Sequence, residues 1–296
     1  MARTQLRGLE IGGIQIGIEV PETCPWQWPD SVVAGHSCLP RNPEVHVGVR
    51  VGKVDREDLA GEQYALGSWT FEVARDGEDW LLGLSRGGRR EQLAFFDKNF
   101  QAGEIVLSCD SAPGLAYPLQ SPLDEWILLH RMVARGGLCL NASAVAHYGQ
   151  AQIRLGAINT DLAQRWTTPT TTLLGRNTLW VREEAGNLRL YRTPWGDAMD
   201  RQLGAEAPVC EFSLTEEAVS PYRELVDSSD AAELLVTHAV VPLCDEGLLE
   251  RVMQNAQRIG ECARVLRLGE VPASAAPMAW QSPQMQSGFA PPRSTV

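Results

Sequence analysis

Near Ser121 the hydrophobic pattern of the chain changes period, and this change limits what the chain can fold into more than any other feature. Before it, apolar and polar residues alternate. In VHVGVRV, Val45, Val47, Val49 and Val51 fall at every second position, the spacing that turns side chains to one face of a strand. LEIGGIQIGIEV puts Leu9 and Ile11 on one alternation and Ile14, Ile16, Ile18 and Val20 on another. Gly12-Gly13 lies between them as a turn or bulge. SWTFEV and EDWLLGLS flank Arg75-Asp76-Gly77, a hairpin signal, and IVLSC closes the run near Cys109. Residues 1–112 therefore read as a β-rich module with a mainly antiparallel sheet.

After Ser121 the pattern mixes helical and strand spacing. SPLDEWILLHRMVARGG predicts a helix over 122–135. Ser121 can cap it, Pro122 suits its first turn, and Asp124 completes an S-x-x-D capping box. Trp126, Leu129, Met132 and Val133 form its apolar stripe, and Gly136 ends it. LCLNASAVA and AQIRLG read as strands joined by His147-Tyr148-Gly149-Gln150. TTTLLGR, NTLWVREE, NLRLYR and APVCEFSL are further strands, with a turn at Ala185-Gly186-Asn187. Leu248, Leu249, Val252, Met253, Ala256 and Ile259 mark a second amphipathic helix over 245–263, and ARVLRLG a last strand. The fold class expected is α/β of the α+β kind, with an α/β domain over 113–271. Residues 272–296 are rich in Pro, Ser, Ala and Gln and carry no apolar period, so a disordered tail is expected there.

The net charge of −11 argues against nucleic-acid or anionic-membrane partners, both of which need clustered cations. The longest uncharged run, Gly136 to Ile153, contains Asn141, His147, Tyr148 and Gln150 and is too polar to span a bilayer. Glu10, Gln15 and Glu19 break up the apolar start, so no signal-peptide core is expected. Seven scattered cysteines with no C-x-x-C pair read as reduced, packed thiols in a cytoplasmic protein.

One stretch, LGAINTDLAQRW over residues 155–166, has the layout of a phosphate cradle. A strand ends at Gly156, a polar turn follows, and Leu162, Ala163 and Trp166 recur at helical spacing. The residues that would hold the phosphate are missing. The chain has two lysines, Lys53 and Lys98, and none beyond residue 98.

The second half resembles the HPr serine kinase-like family, whose nucleotide domain is related to phosphoenolpyruvate carboxykinase. The resemblance covers about residues 117–270. It rests on Pro118 to Glu125, Leu138 to Val145 and Leu190 to Trp195, with Thr193-Pro194-Trp195 a framework motif. For the chain after the N-terminal antiparallel β-rich module, it implies an HPr kinase/phosphoenolpyruvate carboxykinase-like α/β domain. It also implies a G-x-x-x-x-G-K-[ST] loop after the strand ending at Gly156, with ATP and Mg as cofactors. Here Asp161 stands at the second glycine position and Leu162 at the lysine position. The acidic segment of the family corresponds to Gly175-Arg176-Asn177, which has no carboxylate, and its histidine to Asn141. These departures coincide at positions that must neutralise phosphate and Mg²⁺.

The reading that follows is a catalytically degenerate kinase-like protein with no cofactor, acting by binding a protein or small-molecule partner. Its partner is not named by the sequence, and a second copy of the chain is among the candidates. The alternative is an active ATP-dependent serine kinase with an atypical site, in which Arg154, Arg165 or Arg176 replaces the lysine charge. Asn159 or Thr160 most simply caps a helix starting near Asp161; a residual anion contact is the sharper reading. Trp26 and Trp28, between prolines, could meet a partner, although a loop folded over the sheet explains them with less assumption. His36-Ser37-Cys38 is weak as a nucleophile motif, because sequence neighbours rarely point at one another. His238 reads as a packed or surface histidine, and Asp227 and Asp230 as a helix N-cap region.

Overall fold

A computed structural model describes residues 3–24, 27–28, 31–54, 59–109, 117–156, 171–175, 177–194, 206–241 and 245–270. The protein is a mixed, strand-rich α/β structure with two sheets. The expected tail over 272–296 lies outside the described residues.

The first sheet has nine strands: β1 (Thr4–Ile11), β2 (Ile14–Pro21), β3 (Ser37–Cys38), β4 (Val45–Gly52), β5 (Glu62–Leu66), β6 (Trp69–Asp76), β7 (Asp79–Arg86), β8 (Arg89–Phe96) and β9 (Ala102–Ser108). Their order is β3-β1-β2-β4-β9-β8-β7-β6-β5. A short helix, α1 (Ser31–Ala34), lies in the connection from β2 to β3. Gly12 and Gly13 both have positive φ and join β1 to β2 as a two-residue hairpin turn. The sheet is antiparallel apart from two pairings, β2 with β4 and β4 with β9. Residues 22–44 give β4 the length to cross over and run beside β2, and the β5–β8 meander brings β9 back beside β4.

The sequence reading passes over β5 and β8. RREQLAFF looks too polar for a buried strand, yet Arg90, Glu91 and Gln92 are all buried. Arg90 and Glu72 pair at 2.6 Å with both side chains 3 % exposed, and Gln92 donates to the Pro118 carbonyl. A Cβ on Gly83 of β7 would lie 2.7 Å from the Glu72 carboxylate and 3.1 Å from Arg90 Nε. Glycine there makes room for the ion pair, and the pairing allows charge to be buried.

Helix α2 (Leu123–Ala134) follows. It starts one residue after the expected position, and no side chain caps it. Ser121 Oγ instead donates to Glu125, four residues on. Nine of its twelve residues are buried, including Asp124, His130 and Arg131, so the helix is covered well beyond one stripe. Trp126 and His130 pack on Trp80 of β7, while Arg131 reaches Glu44 and the Asn99 carbonyl. On another side, Asn255 donates to the carbonyls of Val133 and Gly137. One continuous core runs from Leu9 and Trp80 through Ile127 and Met132 to Trp180 and Phe212.

The second sheet contains β10 (Leu138–His147), β11 (Gln150–Leu155), β12 (Thr171–Gly175), β13 (Thr178–Glu184), β14 (Asn187–Arg192), β15 (Glu206–Glu217), β16 (Tyr222–Leu225) and β17 (Val265–Glu270). Strands β10, β13, β14, β15 and β11 pair in turn, and β11 pairs back to β10, closing a five-stranded ring. β17 runs parallel to β15, with β16 on its outer side. Helices α3 (Ser228–Thr237) and α4 (Glu246–Cys262) pack on each other. Asp227 caps α3 by accepting from Ser229 and Asp230 N–H, and Asp245 caps α4 by accepting from Leu248 N–H.

Candidate functional site

The ring is held together by a strand that changes neighbours along its length. The first half of β10, Leu138 to Asn141, pairs with β13; the second half pairs with β11 from Ala142 to His147 and with β12 from Ala144 to His147. The change falls between Asn141 and Ala142. On one side, Ala142 N–H donates to the Asn177 carbonyl at 3.1 Å. On the other, β11 runs out at Leu155, and the chain leaving α3 takes its place through a bridge between Leu140 and Ala239.

Three of the expected site residues meet at this point. Asn141 accepts from Gly156 N–H at 2.9 Å, and its own N–H donates to the His238 carbonyl at 2.7 Å. Asn177 sits across β10 from them. Gly156 has φ +87°, a left-handed conformation that side-chain-bearing residues rarely take. A Cβ built there would lie 3.5 Å from the His238 ring. Asn177 is also left-handed, with φ 66°, and joins β12 to β13. Asparagine tolerates that conformation better than most residues. The left-handed Asn177 thus has a backbone explanation of its own: it precedes β13, and both β12 and β13 pair with β10.

Asn159, Thr160, Asp161, Leu162 and Arg176 lie outside the described residues, as do Arg165 and Trp26. Arg154 is buried, 6 % exposed, and its guanidinium faces Glu270 at 3.3 Å. Trp28 is half-buried, packed on the core with its ring 5.7 Å from Tyr117. His36 Nδ1 lies 3.2 Å from the Glu10 carbonyl. Burial pushes the neighbouring Cys38 thiol up, and Glu10 adds to this, which disfavours the reactive thiolate.

His238 is the residue that sequence reasoning left out of the site. Nothing local marks it, since it reaches Gly156 only because the end of α3 docks beside β10. Burial pushes its pKa down, favouring the neutral imidazole. The described part of the junction therefore offers an imidazole, two exposed asparagines and backbone groups. This chemistry suits hydrogen bonding to a neutral polar group. No cluster of three or more His, Cys, Asp or Glu that could hold a metal is present among the described residues, and none of their helices is long and apolar enough to cross a membrane. Comparison of the chain with protein-family models and with curated proteins finds no match.

Proposed function

We propose that this protein is a non-phosphorylating relative of the HPr serine kinase-like family, a binding protein with a regulatory or accessory role. Its partner is a protein or a small molecule, and it needs neither ATP nor Mg²⁺ as a resident cofactor. The observation that carries this reading is the company of Gly156. In a phosphate cradle the glycine at the strand end faces charge-neutralising groups, because phosphoryl transfer depends on positioning and on cations around the phosphates. Here a half-buried histidine, held toward its neutral form, stands over Gly156. Leu162 occupies the lysine position, no lysine follows Lys98, and Arg154 is engaged by Glu270.

Incubation of the purified protein with Mg·ATP labelled on the γ-phosphate, with and without a serine-containing acceptor protein, tests this reading. No phosphoserine above the protein-free control is expected. Transfer to serine that disappears in Arg176→Ala would establish instead an active kinase with an arginine-based site.

A further inference from the structure

A polar cavity of about 290 Å³ lies where elements of the first sheet meet α2 and α4. The β6–β7 hairpin supplies Arg75 and Glu78, and the turn between β8 and β9 supplies Lys98. His130 comes from α2, and Asp245 and Arg251 come from the cap and second turn of α4.

Both carboxylates of the cavity are already matched. Lys98 Nζ donates to Glu78 at 2.8 Å. Asp245 has His130 at 3.1 Å and Arg75 at 3.6 Å. Arg251 is different: it is exposed, and no hydrogen bond or ion pair engages it among the described residues. Three cations, Arg75, Lys98 and Arg251, thus face two carboxylates among the described lining residues, which leaves one positive charge in excess before His130 is counted. Arg75 and Lys98 also keep donors to spare, since a guanidinium has five N–H groups and an ammonium three. Size sets the other limit. A cavity of about 150 Å³ accepts benzene, so this one admits about ten to twelve non-hydrogen atoms, too few for a nucleotide.

We propose that this pocket binds a small organic anion, its carboxylate or phosphate group held by Arg251 with support from Arg75 and Lys98. A guanidinium takes two oxygens of such a group side by side. A metal cation is disfavoured, because it would have to displace Lys98 from Glu78, or His130 and Arg75 from Asp245. A large polyanion would meet the acidic surface of a chain with net charge −11, whereas a small one meets only the local excess of positive charge. Because the walls come from both halves of the chain, the bound anion bridges the first sheet to α4. The site does not depend on the kinase-like reading, because no residue of 155–166 is among the described lining residues.

Succinate and glycerol 3-phosphate are the probes, one for each anionic group, and glycerol is the uncharged control. Each is titrated calorimetrically into the full-length protein at constant ionic strength. At least one of the two anions should give saturable heat at millimolar concentration, and glycerol none; the tighter anion tells which group the pocket favours. Arg251→Gln should weaken that binding about tenfold or more, the loss expected for hydrogen bonds from a charged donor. Arg223→Gln removes one positive charge from exposed β16, outside the pocket, and should change the affinity less than about twofold. The proposal is overturned if neither anion gives saturable heat, or if glycerol binds as well as they do. It is equally overturned if Arg251→Gln binds as tightly as the unsubstituted protein, or if the two variants weaken binding alike, which would mean that only overall charge is felt.

Discussion

His130 Nε2 lies 3.1 Å from Asp245 Oδ2, joining α2 to the cap of α4 across 115 positions of sequence. The other ring nitrogen, Nδ1, is 2.8 Å from the Trp126 carbonyl. Both partners are acceptors, so the full pair of bonds needs a proton on each ring nitrogen. Arg75 adds a third member. Its guanidinium lies over the Trp80 ring, 3.2 Å from the centroid, and 3.6 Å from Asp245. A hairpin of the first sheet, α2 and α4 thus meet at one carboxylate.

Asp245 gives the protein an acid limit. Burial alone would raise its carboxyl, but the His130 hydrogen bond, the Leu248 N–H and the charges of His130 and Arg75 outweigh this and hold it below the usual aspartate range. A depressed carboxylate adds stability that is present above its unfolded pKa and is lost as pH falls through the folded one. Urea midpoints should therefore drop as pH falls below about 4, the usual aspartate value, and Asp245→Asn should flatten that drop. An unchanged slope in the variant would remove Asp245 from the account.

His238 acts in the neighbouring pH range with the same sign. Its lowered pKa means that the unfolded chain binds the proton more readily, so stability should fall as pH drops from 7 to 5. His238→Gln should be less sensitive over that interval. Thermal midpoints at the two pH values read this difference.

Arg131 and Glu44 form an ion pair whose side chains are 10 % and 15 % exposed. Arg131→Ala should cost about 3 kcal/mol, the lower end for breaking a buried pair, because Arg135 also reaches Glu44. Met132→Ala, at a fully buried position, should cost about 2–5 kcal/mol through the cavity it leaves. Chemical denaturation measures both.

Thiol reactivity should follow burial. Cys109 and Cys262 are exposed, whereas Cys139 is buried with its thiol pushed up to about 12. Ellman's reagent at pH 8 should label Cys109 and leave Cys139 unmodified until the protein is unfolded. Labelling of Cys139 in the native protein would contradict its burial.

Gly156 should resist substitution for backbone reasons. Gly156→Ala forces a left-handed alanine and should cost about 1–2 kcal/mol, although a Cβ would meet the His238 ring only at ordinary contact distance. His238→Ala in the same background should not restore the loss, because the strain lies in φ rather than in a clash.

The elements legible in the sequence were those whose period follows from burial on one face. The valines of β4, the isoleucines of β2 and the apolar stripe of α4 belong to this group. β8 was hidden because Arg90 is neutralised by Glu72, which sits eighteen residues earlier and on another strand. Strand direction was hidden too, since side-chain alternation is the same in parallel and antiparallel pairs; β4 and β9 show this. At the candidate site, Gly156, Asn141 and Asn177 could be found from the strand-turn-helix layout and the resemblance that goes with it. His238 could not, because its place is set by the docking of α3 against β10.

The central claim is that the strand end at Gly156 no longer grips a nucleotide, and calorimetric titration of the full-length protein with Mg·ATP tests it most directly. The account predicts no saturable heat up to millimolar nucleotide, and no difference between titrations with and without Mg²⁺. Micromolar affinity that requires Mg²⁺ and is weakened tenfold or more by Arg176→Ala would contradict it.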